Sequence, residues 1–166
     1  MSESPRVAAG AGEDALHRPF RARAARLVAT VLAGAVLMMV GAIALLLPAP
    51  VQGQVGGMGM SVADRVGVVL FGLAVVWFLL RHAGVRALPD DGGLTVRNLL
   101  VTRRVAWAEI VSVRFGADRP WVQLDLADGT TLAVMAVQSA DGSHAAAEAR
   151  RLATLVARHS RTTRDD

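Results

Sequence analysis

The chain has no cysteine and no lysine. Without cysteine there is no disulfide, no thiolate metal site and no cysteine nucleophile. Without lysine, all 18 basic residues are arginine, a side chain that stays protonated far above neutral pH. The pI of about 11.3 beside a formal net charge of only +4 therefore reflects residue type more than basic excess. Such a balance gives nucleic-acid binding little support, and no nucleic-acid partner is expected.

Charge itself is missing over two long stretches. Leu27 to Leu47 runs 21 residues without a charge, about 31 Å as a helix and matched to a hydrocarbon core of about 30 Å. Pro48 and Pro50 end it. A cleaved signal peptide would carry an apolar region of about 7–15 residues before a small-residue cleavage motif. This block is longer and no Ala-x-Ala follows it. Val66 to Leu80 is the second uncharged block; its 15 residues reach only about 22 Å as a helix. Extending the helix back to about residue 62 closes most of the gap and brings Asp64 and Arg65 near the headgroups, where long side chains snorkel. Thr30, Gly34 and Gly41 share one stripe of the first block, either a close-packing face or simply the abundance of small residues.

These runs account for a hydrophobic content of 53%, above the roughly 45–50% of soluble domains. At 166 residues the chain has room for one domain and an appendage. The predicted organisation is a disordered cytoplasmic tail over 1–26 and a two-helix membrane anchor over 27–80. The anchor's spans are 27–47 and about 62–80, joined by a loop at 48–61. A soluble domain over 84–160 and a tail at 161–166 follow. Five arginines (Arg6, Arg18, Arg21, Arg23, Arg26) precede the first span, and Arg81 and Arg86 follow the second, while the loop between holds only Arg65. The positive-inside rule then puts both termini in the cytoplasm and makes the chain a multi-pass protein of the cytoplasmic membrane.

Beyond residue 84 the apolar period changes to two. Val85–Leu88 is a short candidate strand, and Pro89 to Gly93 carries turn chemistry. Leu94 and Val96 alternate with Thr95 and Arg97, and a weak turn falls near Asn98-Leu99-Leu100. Val101, Arg103 and Val105 share one strand face; Val111, Val113 and Phe115 share another. After Gly116–Pro120, Val122, Leu124 and Leu126 face inward, and Asp128-Gly129 is a strong hairpin signal. Leu132 to Val137 is apolar on both faces. A helix closes the chain, with Asp141 able to serve as N-cap, Gly142 and Ser143 also suited to the boundary, and a stripe of Ala145, Glu148/Ala149, Leu152, Leu155/Val156 and His159 at 3–4 spacing. The class is α+β: two transmembrane helices, then a small antiparallel barrel of six strands capped by one C-terminal α-helix.

Gly93-Leu94-Thr95-Val96-Arg97-Asn98, Thr102-Arg103-Arg104 leading into Trp107-Ala108-Glu109-Ile110, and Val113-Arg114-Phe115 resemble the bacterial pleckstrin-homology (PH)-like domain of actinobacterial membrane proteins, of the low-molecular-weight-antigen type. Leu126 to Thr130 and Val137 to Gly142 also look like that family, as does the pair of spans in front. Ala106 departs from it, since proline is expected before the tryptophan. The resemblance implies a PH-like barrel with one open end plugged by the helix. It implies no activity.

Chemistry-bearing residues are sparse. The four histidines lie on unrelated segments with no ligand spacing, and Gly56-Gly57-Met58-Gly59 lacks the lysine of a phosphate loop. No serine or aspartate sits in a nucleophile elbow, so no enzyme, metal or cofactor is expected. Trp107 and Trp121 read as core or rim packing, and Glu109 as a turn anchor. The sharpest ligand hypothesis is an anionic headgroup held by Arg97, Arg103 and Arg104. Against it, Arg103 and Arg104 are adjacent on a strand and point to opposite faces. The favoured reading is a membrane-anchored module that binds a protein partner. An anionic-lipid sensor is the alternative. A small enzyme or transporter subunit comes last, because no charge falls within 27–47 or 66–80.

Overall fold

The computed structural model describes residues 16–48, 59–116 and 118–162. In chain order these form helices α1 (Arg23–Leu46) and α2 (Val62–Ala83), then strands β1 (Arg86–Asp90), β2 (Gly93–Arg97) and β3 (Thr102–Ala106). Strands β4 (Ile110–Arg114), β5 (Trp121–Leu126) and β6 (Thr131–Gln138) and helix α3 (Ser143–Thr162) follow. The chain divides into two compact units, one being Ala25–Ala83 and the other joining the stretch up to Ala24 with Gly84 onward.

Both α1 and α2 are long and apolar enough to cross a membrane. The second gains its length as the sequence suggested, by starting at Val62. Ser61 is its N-cap. The Asp64 amide donates to the Ser61 hydroxyl (3.2 Å) while the Asp64 carboxylate accepts from the Ser61 amide (3.1 Å), a reciprocal capping box. Arg65 turns back to α1 and donates to the carbonyls of Ala44 (3.1 Å) and Leu47 (2.5 Å). Those are C-terminal carbonyls that a helix cannot satisfy internally. The two charges of this segment thus complete the ends of two helices.

The helices meet at other small residues than the stripe the sequence singled out. A methyl group added at Gly34 or Gly41 would meet nothing within 4 Å, whereas a Cβ on Gly72 would lie 2.4 Å from Val40 Cγ2. Ala29, Ala33, Gly72 and Val76 are the buried positions.

The second unit holds two antiparallel sheets, ordered β1-β2-β3 and β4-β5-β6. The α+β class, the leading helix pair and the closing helix are as expected, but strand pairing does not close the sheets into a barrel. Asn98 bridges them instead. Its side-chain amide donates to the Ala133 carbonyl (2.7 Å) and accepts from the Met135 amide (3.2 Å), taking the place of a strand on β6. Between the sheets and α3 lies a core that includes Leu94, Val96, Val122, Leu124, Val134 and Leu152.

β5 keeps the alternation read from sequence, with Val122, Leu124 and Leu126 all buried. Gly129 turns the β5–β6 hairpin at φ +79°, a region that glycine enters without strain. β4 departs from the expected pattern. Its register shifts between Ile110 and Ser112, a bulge that adds one residue and leaves Val111 67% exposed while Val113 and Phe115 pack against the core.

Two expectations are corrected near the ends of this unit. Residues 16–26 are not part of a disordered tail. Phe20 is fully buried and pairs with Ala87, with N–H···O bonds of 2.8 and 3.1 Å exchanged between them. The Arg151 guanidinium sits 3.8 Å above its ring. A single aromatic among arginines has no period to betray it, so composition alone points to a tail. Residues 1–15 of that tail lie outside the described residues. Asp141 is likewise not the cap of α3. Its carboxylate accepts from the backbone amides of Arg23 (3.1 Å) and Ala24 (2.9 Å), the first turn of α1. The turn into α3 is made by Gly142 at φ +56°.

Candidate functional site

The three arginines singled out from sequence lie on β2 and β3, and strand register decides what they share. Residues directly opposite in an antiparallel pair project from the same face. Leu94 and Val96 are buried, so Thr95 and Arg97 project outward. Arg104 pairs with Thr95 and joins that outer face; Arg103 pairs with Val96 and falls on the other. No single clamp of all three forms. Arg103 instead reaches the Asp128 carboxylate (3.2 Å), and Arg104 the Asp90 carboxylate (2.8 Å). Both pairs are solvent-exposed, so each adds little to stability. Arg97 makes no ion pair among the described residues.

Register also adds an arginine that the sequence reading passed over. Arg86 on β1 stands directly opposite Arg97, and its Nε is buried without a hydrogen-bond partner. The outer face of the first sheet therefore carries Arg86, Arg97 and Arg104, with Thr95 and Thr102 between them. A strand-by-strand reading could have found Arg86 only by fixing the β1–β2 register, which the two-residue Asp91-Gly92 turn sets.

Carboxylates around the second sheet are held in their charged form. The Asp128 pKa is lowered from the ordinary aspartate value, first by the Thr130 hydroxyl and then by the Thr130 amide, with Arg103 adding less. The Asp125 pKa is lowered chiefly by the Ser112 hydroxyl at 2.5 Å, with Arg114 assisting. These groups order turns and strand ends.

Trp107 is buried, as expected, and donates its indole N–H to the Asp90 carbonyl (2.8 Å). His159 stacks on it with ring centroids 4.8 Å apart, and His17 meets His159 edge-on at 6.3 Å. Two histidines that sequence placed on unrelated segments thus come together, in an aromatic stack. Glu109 anchors the turn as read, accepting from the Ala106 amide at 2.7 Å. Among the described residues, no three histidines or carboxylates are grouped to hold a metal ion.

The model of the bacterial PH domain family matches residues 85–154, from the start of β1 into α3. An uncharacterized protein of Mycobacterium tuberculosis is 36% identical over 108 residues, which is 64% of this chain and 70% of that protein. This chain belongs to the bacterial PH domain family. An uncharacterized protein of Mycobacterium bovis aligns with the same identity and coverage. Low molecular weight protein antigen 6 of Mycobacterium tuberculosis is 40% identical over 60 residues, 36% of this chain and 53% of the antigen. No solved structure matches the chain. The PH-domain match includes β1 to β6, so Arg86, Arg97, Arg103 and Arg104 all fall inside it.

Proposed function

We propose that this protein is a membrane-anchored interaction module, in which α1 and α2 hold a PH domain at the inner face of the cytoplasmic membrane and the domain binds a protein partner without catalysis. The observation that carries the reading is the Phe20–Ala87 pairing. Phe20 precedes α1 by three residues and Ala87 follows α2 by four, so a helical hairpin returns the chain to the side it left. That supports termini on one side of the membrane, and the arginines flanking the pair favour the cytoplasmic side. In this division residues 25–83 are the anchor and 84–160, with the strap around Phe20, the binding domain.

An anionic-headgroup sensor built on Arg97, Arg103 and Arg104 is the weaker reading, because two of the three already face aspartates on different sides of the sheet. Photo-crosslinking from Thr95 in native membranes separates the two. A discrete protein adduct, lost on Arg97→Glu, is expected; adducts with lipid alone would overturn the partner reading. Reporter fusions at the C-terminus test orientation, and an extracytoplasmic result would reverse it.

A further inference from the structure

Helices α1 and α2 pack through small residues at one place and leave space beside it. A Cβ on Gly72 would strike Val40, and Ala29, Ala33 and Val76 are the other buried positions of the pair. Alongside runs a groove of about 310 Å³, between Val36, Val40 and Ile43 of α1 and Gly67, Val68 and Phe71 of α2. Small-molecule sites begin at about that volume. Gly67 keeps the groove open, since a Cβ there would meet nothing within 4 Å. The whole groove lies within the Ala25–Ala83 unit. No lining side chain carries a nitrogen or oxygen, so a water there would lack the polar partners that hold buried water. Left empty, the walls would go without contacts on one side.

A cation stands at the end of this groove. Arg65 precedes Gly67 by two residues and reaches across to the carbonyls of Ala44, next to Ile43, and Leu47. It is the one basic residue between 27 and 80. Those two bonds go to uncharged acceptors and leave other N–H donors of the five-donor guanidinium unused. Asp64, its neighbour in sequence, is turned instead to Ser61, accepting from the amide (3.1 Å) and the hydroxyl (2.7 Å). Arg65 thus makes no ion pair among the described residues, although it is half-buried. A charge withdrawn from water calls for a partner of opposite sign. An apolar slot ending on such a cation is complementary to an amphiphile with one anionic end.

We propose that this groove is a binding site for one phospholipid, with an acyl chain laid between Val40 and Phe71 and the headgroup phosphate on Arg65. The site is formed by the helix pair alone and is distinct from the arginines of the first sheet. It rests on the reading of α1 and α2 as membrane spans. Full-length protein, extracted in a mild detergent, is weighed by native mass spectrometry as isolated. It is then delipidated and titrated with phosphatidylglycerol or with oleate.

The expected result is one phospholipid retained per chain, and phosphatidylglycerol rebinding ahead of oleate. Gly67→Leu fills the groove without touching the Val40–Gly72 contact and should abolish retention. Gly34→Leu, at an equally open glycine outside the groove, should leave it unchanged. Arg65→Gln should lower the bound-to-free ratio for phosphatidylglycerol about fivefold, the weight of one arginine near an anionic headgroup. Equal retention in wild type and Gly67→Leu overturns the proposal, as does binding unmoved by Arg65→Gln. A retained mass of free fatty acid, or a lipid-free pair of chains, overturns it too, in favour of those occupants. A chain that needs detergent yet holds no lipid overturns the proposal and leaves the anchor reading standing. A chain recovered in water without detergent overturns the anchor reading and the proposal with it.

Discussion

The two units of this protein are built from the same aliphatic vocabulary and use it in opposite directions. In the sheet unit the large apolar side chains turn inward: Leu94, Leu124 and Leu152 are fully buried. In the helix pair they turn outward, with Phe71 73%, Leu45 83% and Met38 74% exposed, while small residues such as Ala29, Ala33 and Gly72 fill the contact. Burial in water is driven by the hydrophobic effect. That drive vanishes where the surroundings are as apolar as leucine, and helices then associate through close backbone approach. The sheet unit is thus built for water, while the helix pair is long and apolar enough to cross a membrane. Polar groups follow suit. The sheet unit spreads its hydrogen bonds over strands, caps and side chains, whereas the helices satisfy their backbones internally and need help only at the ends, from Ser61, Asp64, Arg65 and Asp141.

The comparison breaks most readily at Phe20. Phe20→Ala removes a fully buried ring from the sheet unit and should cost about 3–5 kcal/mol, read by denaturant unfolding with Trp107 fluorescence. Phe71→Ala, an equal truncation on the outward face of α2, should leave that transition where it is. If both variants shift it alike, the contrast between the units is wrong. Next is Gly72→Leu. Its side chain would collide with Val40, and overpacking of about 1–3 kcal/mol should splay α1 from α2, seen as a longer distance between spin labels on the two helices. The sheet unit should be untouched.

Asn98→Ala should cost a similar or smaller amount, about 1–3 kcal/mol, because it strips two half-buried backbone groups of β6 of their partner. Amide exchange at Met135 should quicken more than at Leu124. The smallest effect is a pH dependence. Asp125 has a lowered folded-state pKa, owed first to Ser112. Its contribution is therefore present above the unfolded value of about 3.9 and lost as pH falls through the lower folded value. Ser112→Ala should bring the folded value back toward the ordinary one, flattening the loss of stability below about pH 4. An acid unfolding midpoint identical in variant and wild type counts against the assignment.

Much of this was legible locally. Asp128-Gly129 specifies its own hairpin, and the period-two run Val122-Gln123-Leu124-Asp125-Leu126 specifies its own buried face. Ser61-Val62-Ala63-Asp64 is a helix start wherever it occurs. What escaped notice depends on partners far along the chain. Asn98 reads as a turn residue until β6, some 35 residues on, supplies its bonds. Asp141 reads as the cap of the helix that follows it, and it caps one that begins 118 residues earlier. The bulge at Val111 is a property of the β4–β5 pair and not of β4. The arginine cluster was half legible: strand period separated Arg103 from Arg104 correctly, but only register could bring Arg86 to Arg97.

The strap around Phe20 also sets an order of events. A ribosome releases Phe20 and the start of α1 long before it makes Ala87, and longer still before Asp141 and Arg151, which complete their surroundings. The first part of the domain to be synthesised is therefore among the last to be secured, and both apolar helices are made while that segment is still waiting. A nascent chain stopped short of Arg151 leaves the Phe20 ring without the guanidinium that covers it. Such a chain is a natural target for the proteases and chaperones that inspect newly inserted proteins.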